Sequence, residues 1–289
     1  MIDEVAAPRP PTVHTIDTEQ GRVAALDWGG AGPAVVLLHP NGFCAGLYEP
    51  LAARLAGPGA RPVAIDLPGH GGSDPPATRA GYAFRSMARA VLAVLDALGV
   101  EEAAGVGGSL GGGVAVLVDE ARPGLWRRLL LAEAVAFPAA GTPPGTPNPM
   151  AEAARRRRRT FDDRAAAVAA YARRPPLSEL APEALEAYVR WGTREVAHGV
   201  ELRCDPEVEA TVFETSGMPG GAPAAWAHLE SLRCPVTVLA GRSSFLPDMF
   251  GAQAERCGGE LVTVDGGHFA LHEDTARGVE LIRRYALAR

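Results

Sequence analysis

The sequence predicts an α/β protein built on a mostly parallel sheet flanked by helices, with a helical segment inserted between two of its strands. Three observations carry that prediction. Short apolar runs alternate with segments of helical spacing, two Gly-rich turns follow such runs, and a long central stretch shows helical patterns without strand-like ones.

The fold opens as a hairpin: PTVHTID and RVAALDW alternate in polarity on either side of Glu19-Gln20-Gly21, where glycine eases the turn. AVVLLH (34–39) is a short continuous apolar run and reads as a buried strand, and LYEPLAARLAG follows with helical spacing closed by Gly57. PVAID (62–66) is the next buried strand and runs into the turn-rich LPGHGGSDPP. Helical spacing from Phe84 to Leu98 leads to AAGVGG, a strand entering the second Gly-rich turn, then to the helix GGGVAVLVDEA and the strand RLLLAEAVAF (128–137). Such alternation implies parallel strands joined by right-handed crossovers.

Between Pro138 and about Arg233 no run reads as a strand. AEAARRRRRTFDDRAAAVAAYARR, SELAPEALEAYVRWGTREV and EVEATVFETS read as helices, and a stretch of roughly 90 residues is too long for a structureless loop. Residues 139–228 are therefore expected as a helical insertion, and 1–138 with 229–289 as the core. The alternation resumes with PVTVLAG (235–241), a helix near Asp248 to Cys257, ELVTVDGGH (260–268) and a C-terminal helix over Thr275 to Ala288.

A chain of 289 residues with 47% hydrophobic and 21% charged side chains can bury one full core. All 28 basic side chains are arginine, which excludes Schiff-base chemistry, a Ser-Lys dyad and a lysine phosphate loop. A net charge of −6 argues against nucleic acid as a partner. No apolar stretch reaches the roughly 18–20 residues that span a bilayer, so no membrane partner is expected. Cys44, Cys204, Cys234 and Cys257 have no C-x-x-C spacing, and the start, MIDEVAAPRPP, has neither a charged n-region nor an apolar h-region. A cytoplasmic protein with free thiols is the expectation. The expected partner is a small-molecule substrate, with no cofactor and no metal.

Gly107-Gly108-Ser109-Leu110-Gly111 matches G-x-S-x-G, in which a serine sits on a strained strand-to-helix turn and a Cβ at the glycines would strike the neighbouring strand and helix. Eight serines and 34 glycines in 289 positions would give about 0.1 such matches by chance. Ser109 is thus the candidate nucleophile. A hydroxyl needs a base, and of seven histidines His268 directly follows a predicted strand near the C-terminus. His272 lies where a helix starts and is expected at the surface, while His39 and His70 suit local loop hydrogen bonding.

His39, Asp66, Pro68-Gly69-His70-Gly71, the turn at Ser109 and the late Gly267-His268 together resemble the α/β-hydrolase superfamily, over about two thirds of the chain. The resemblance implies an eight-stranded, mostly parallel sheet, a helical cap formed by the insertion, and hydrolysis by residues in the order Ser, acid, His. Most such hydrolases carry an Asp three residues after a Gly that ends the strand following the cap. Here Gly241-Arg242-Ser243 is followed by Ser244. Two carboxylates remain. Asp248 stands at a helix start, where the dipole explains it. Glu133 lies in an apolar strand that has no structural use for a charge. Glu133 is the expected acid, a placement resembling haloalkane dehalogenases and zearalenone-hydrolase-like lactonases.

The oxyanion donors implied by the resemblance are the backbone N–H of Leu110 and that of Asn41, in a loop resembling the family's His-Gly-x motif with Pro40 for Gly; the Asn41 amide is a further candidate donor. The run Arg155 to Arg159 reads as a solvated cap helix. Phe43, Phe137, Tyr188, Trp191, Phe213, Trp226 and Phe245 are candidates for an apolar pocket, although each is more often a core residue. The expected function is cofactor-free serine hydrolysis of a carboxylic ester or lactone of a small apolar substrate through an acyl-enzyme. The same triad also supports carbon–carbon bond hydrolysis or cofactor-free peroxidation, and a third reading is a non-catalytic binding protein derived from a hydrolase. An epoxide hydrolase or dehalogenase would need Asp at position 109.

Overall fold

The computed structural model describes residues 10–139, 147–244 and 247–288, without the side chains of Pro247 and Asp248. The candidate pocket residue Phe245 lies outside the described residues. β1 (Thr12–Thr18) and β2 (Gly21–Asp27) pair antiparallel, with Gly21 at φ 100° closing the turn. Then come β3 (Ala34–Leu38), α1 (Glu49–Leu55), β4 (Arg61–Ile65), α2 (Phe84–Ala97), β5 (Ala103–Gly108), α3 (Leu110–Ala121) and β6 (Trp126–Ala132). The excursion between sheet strands contains α4 (Pro149–Arg155), β7 (Thr160–Phe161), α5 (Arg164–Tyr171), α6 (Pro182–Gly192), β8 (Thr193–Val196), β9 (Gly199–Leu202), α7 (Pro206–Ser216) and α8 (Ala222–His228). β10 (Val236–Gly241), α9 (Pro247–Cys257), β11 (Glu260–Val264), α10 (Ala270–Glu273) and α11 (Thr275–Tyr285) complete the chain.

The main sheet has eight strands in the order β1-β2-β4-β3-β5-β6-β10-β11, parallel from β4 to β11 and antiparallel at the β1-β2-β4 end. Successive residues of a strand face opposite sides, so one continuous apolar run feeds two cores. Val36 and Leu38 join Met87, Val91, Val114 and Phe250 on the face covered by α2, α3 and α9. Val35 and Leu37 join Leu51, Leu55, Val279 and Ile282 under α1 and α11. None of the described helices is long and apolar enough to cross a membrane.

Four expectations change. β6 stops at Ala132 rather than running to Phe137, because Glu133 takes φ 52° and leaves the extended conformation. The excursion is not wholly helical: β7, β9 and β8 form a three-stranded antiparallel sheet. Strands of two to four residues are too short for periodicity to show, and the β8–β9 turn uses Ala197-His198, with Gly199 at φ 109° beyond it, in place of a recognisable turn pair. The five arginines do not continue a helix. α4 ends at Arg155, which pairs with Glu207 and Glu214; Arg157 pairs with Glu209 and Arg159 with Asp205, so carboxylates on and just before α7 draw the run into turns. Finally, α8 packs with the main core: Ala222, Ala224 and Ala225 are buried with α3, and His228 Nε2 lies 3.0 Å from Asp119 Oδ2.

Val212 of α7 also joins the main core, whereas β7, α5, α6 and β9 share an apolar cluster of their own. Phe161, Ala167, Tyr171, Leu185, Tyr188 and Val200 are buried together with Phe43, Leu47 and Phe269 of the core, so the excursion is seated on the loop after β3 and the loop after β11.

Candidate active site

β5, β6, β10 and β11 are consecutive in the sheet, and their C-terminal ends lead to Ser109, Glu133, Ser244 and His268 respectively. Ser109 has φ 51° and ψ −115°, and Glu133 has φ 52°; among the described residues these are the two non-glycine positions in the left-handed half of conformational space. Each such residue costs of order 1–3 kcal/mol and persists only when its surroundings hold it. Here each turn holds the other: Ser109 N–H donates to Ala132 O at 2.9 Å, and Val135 N–H donates to Ser109 O at 2.8 Å, on either side of Glu133. A Cβ on Gly107 would come within 2.6 Å of the Gly111 carbonyl oxygen, and one on Gly111 would overlap the Leu38 carbonyl, which explains the glycines flanking the serine.

The left-handed turn aims the Glu133 side chain across the ends of β10 and β11. The carboxylate is 2% exposed. Its Oε1 accepts from Gly241 N–H at 2.7 Å, and its Oε2 accepts from Ser244 Oγ–H at 2.6 Å and from His268 Nδ1 at 2.8 Å. A carboxylate at Nδ1 places the neutral ring's proton there and leaves Nε2 as the basic nitrogen. The His268 loop is held from behind, since the Glu273 carboxylate accepts from the N–H groups of Gly267 (2.9 Å) and Phe269 (3.2 Å).

On the other side of Ser109, β3 is β5's neighbour and leads into His39-Pro40-Asn41-Gly42. His39 is buried, with Nδ1 on the Pro40 carbonyl at 2.8 Å and Nε2 accepting from Leu67 N–H at 2.9 Å; burial pushes its pKa well below the usual value, which keeps one nitrogen free to accept. His70 Nε2 meets Asn41 Oδ1 at 3.1 Å, and burial pushes its pKa down to about 4. Both histidines make the local loop bonds expected of them. The Asn41 amide ties this loop to its neighbours: Nδ2 donates to Glu209 O at 3.0 Å and Oδ1 is engaged by His70. Leu110 is the first residue of α3 and is buried directly after Ser109.

His272 is not at the surface. It is 2% exposed and stands edge-on against the Tyr48 ring with centroids 4.8 Å apart, because α10 turns inward from Phe269. Of the other carboxylate candidate, Asp248, the backbone is placed in the first turn of α9. The aromatic candidates separate. The Phe43 ring meets Tyr188 at a tilt, with centroids 4.8 Å apart, and Phe269 edge-on at 5.0 Å, and Phe269 lies 4.9 Å from the His268 ring, so Phe43 and Tyr188 belong to the cluster beside the histidine. Trp191 packs on the edge of the same cluster, with its indole N–H donating to Glu49 at 2.9 Å. Phe213 packs with Ala151, Ala154 and Ala210, and Phe137 and Trp226 lean on the main core. Sequence reasoning missed Ser244 as a donor, Glu273 as a clamp and Arg157 as a partly buried cation. Ser244 was visible only as the residue standing where an acid is usual, and Glu273 resembles any acidic residue near a helix end.

A family model described as the alpha/beta hydrolase family matches residues 35–281. The uncharacterized protein Rv2715 of Mycobacterium tuberculosis is 29% identical over 303 aligned positions, covering 96% of this chain and 81% of that protein. The thioesterase domain from the curacin biosynthetic pathway has the same fold at a TM-score of 0.80, with 23% identity over 95% of this chain and 99% of its own. Est816, described as an N-acyl homoserine lactone degrading enzyme, superposes at a TM-score of 0.68 with 26% identity, covering 94% of this chain and all of its own. With its eight-stranded sheet, its strained serine turn and a match over residues 35–281, the chain belongs to the alpha/beta hydrolase family.

Proposed function

We propose that this chain is a cofactor-free serine hydrolase that cleaves a carboxylic ester or lactone of a small apolar substrate. The observation that carries the reading is the 2.8 Å contact of His268 Nδ1 with the buried Glu133 carboxylate, one strand away from the strained Ser109. Ser109 Oγ attacks the acyl carbon as His268 Nε2 takes its proton, and the carbonyl π electrons move onto oxygen. Backbone N–H groups of Leu110 and Asn41 receive that oxyanion. Collapse expels the alkoxide, which leaves as the alcohol with the proton from His268. Water, deprotonated by the same nitrogen, then releases the acid and restores Ser109. Glu133 holds the histidine tautomer and stabilises the imidazolium. The excursion, residues 139–228 less the helix α8, serves as the lid; Phe43 and Tyr188 are its apolar contacts beside His268. A lactone-degrading protein among the structural relatives supports including lactones.

A fluorophosphonate probe tests this reading. Labelling should map to Ser109 by peptide mass spectrometry and disappear in Ser109→Ala and His268→Ala, and a panel of esters and lactones should show turnover that those variants lose. Labelling elsewhere, or full turnover by Ser109→Ala, would remove the mechanism.

A further inference from the structure

Arg157, the middle of the five-arginine run, is turned inward. Its side chain is 19% exposed and that of its partner Glu209, on α7, 10%. The guanidinium also donates to the Tyr188 hydroxyl of α6 at 2.8 Å and reaches the Tyr171 hydroxyl of α5 at 3.3 Å. One cation therefore ties together three helices of the excursion. Burying an ion pair costs several kcal/mol per ion unless the remaining donors are satisfied, and an arginine in a run of five could have stayed in water at no such cost. The forked guanidinium is what meets a carboxylate and two hydroxyls at once; a lysine ammonium would not span them.

Two bonds lead from this cluster to the loop after β3. The Tyr188 hydroxyl donates to Gly42 O at 3.1 Å, and the Glu209 carbonyl accepts from Asn41 Nδ2 at 3.0 Å. Gly42 has φ 77°, and a Cβ there would lie 2.6 Å from the Glu209 carboxyl carbon and 2.9 Å from Arg157 Nη1, so the pair rests directly on the loop.

We infer that Arg157 is a positioning residue: with Glu209 and Tyr188 it fixes Asn41-Gly42, so that the Asn41 N–H keeps its direction toward the oxyanion. The inference rests on the reading of Ser109 as nucleophile. Arg157 touches no reacting atom and acts through the loop. Because the oxyanion exists only along the reaction path, releasing the loop costs kcat rather than ground-state binding.

The test compares Arg157→Met and Tyr188→Phe with Ser109→Ala and with Arg85→Met, which breaks the surface pair to Glu120. Hydrolysis of p-nitrophenyl butyrate and deuterium uptake by residues 39–44 are both measured. Arg157→Met and Tyr188→Phe should each lower kcat about tenfold or more with KM within about twofold, and should speed uptake in 39–44. Arg85→Met should change neither. If both variants keep wild-type kcat and wild-type uptake while Ser109→Ala is inactive, the inference fails and the mechanism stands; a loss confined to KM would also overturn it. Full activity in Ser109→Ala would instead remove the mechanism, and the uptake data would then decide whether Arg157 fixes the loop. Tyr188→Phe removes one oxygen, so it answers the question even if Arg157→Met fails to fold.

Discussion

The Ser244 hydroxyl donates to Glu133 Oε2 at 2.6 Å, on the same oxygen that meets His268 Nδ1 at 2.8 Å. The residue standing where an acid is usual after β10 has therefore become a donor to a carboxylate arriving from β6. A carboxylate at both positions would place two like charges within a few ångströms in a buried site, and one would be forced to protonate. A hydroxyl there leaves Glu133 as the one charge and adds a bond to it.

Glu133→Gln keeps the shape of the side chain and loses the charge. On the proposed mechanism kcat should fall by up to about 10⁴-fold, the size of the corresponding loss in a serine protease, while Asp248→Asn stays near wild type. Steady-state rates of the two purified variants on one ester decide between them, and the opposite pattern would transfer the acid role to Asp248.

Ser244→Ala removes one hydrogen bond to a charged acceptor, an interaction of about 1.5–3 kcal/mol. If that bond orients the carboxylate toward His268, kcat should drop by about tenfold or more at a temperature where the variant is still fully folded. A variant that loses stability while keeping kcat would make Ser244 a structural residue only.

The sequence made the sheet legible because its central strands are buried on both faces and appear as unbroken apolar runs, as in AVVLLH and PVTVLAG. Glu133 stood out for the related reason that a charge is anomalous in such a run. Its backbone turn was not legible, since φ 52° at a glutamate has no local signature and is held by bonds to Ser109 and Leu239. Arg157 looked like its four neighbours, because what distinguishes it is Glu209, 52 positions away. His272 was misplaced because the pattern gives a helix start without saying which way the helix faces.

Gly111 and Gly251 both sit in helices, yet alanine should act oppositely at the two. At Gly111 the new Cβ would overlap the Leu38 backbone carbonyl, which cannot rotate away, whereas nothing lies within 4 Å at Gly251. Gly111→Ala should cost at least about 2 kcal/mol, as overpacking against backbone does. Gly251→Ala should gain about 0.5–1 kcal/mol from helix propensity. Denaturant midpoints of the two variants check the signs, and equal effects would contradict the packing of α3 on β3.

His272 makes acid stability a specific expectation. Burial against Tyr48 pushes its pKa from 6.5 down to about 3, and its Nδ1 has no hydrogen-bond partner among the described residues. Below pH 6.5 the unfolded ring takes up a proton that the folded ring refuses, so its contribution is complete above that pH and is lost as pH falls toward 3. At pH 5 the loss amounts to about 2 kcal/mol. Asp66, pushed up to about 6 by its own burial, works with the opposite sign over about pH 4–6, and His39 and His70 work with the same sign as His272. All three are common to wild type and a His272 variant and cancel in the comparison. His272→Phe keeps an aromatic edge for Tyr48 and cannot titrate, so its advantage over wild type should be larger at pH 5 than at pH 8 by about 2 kcal/mol. Denaturant unfolding of both proteins at the two pH values measures this, and a difference independent of pH would mean that His272 takes up its proton as readily folded as unfolded.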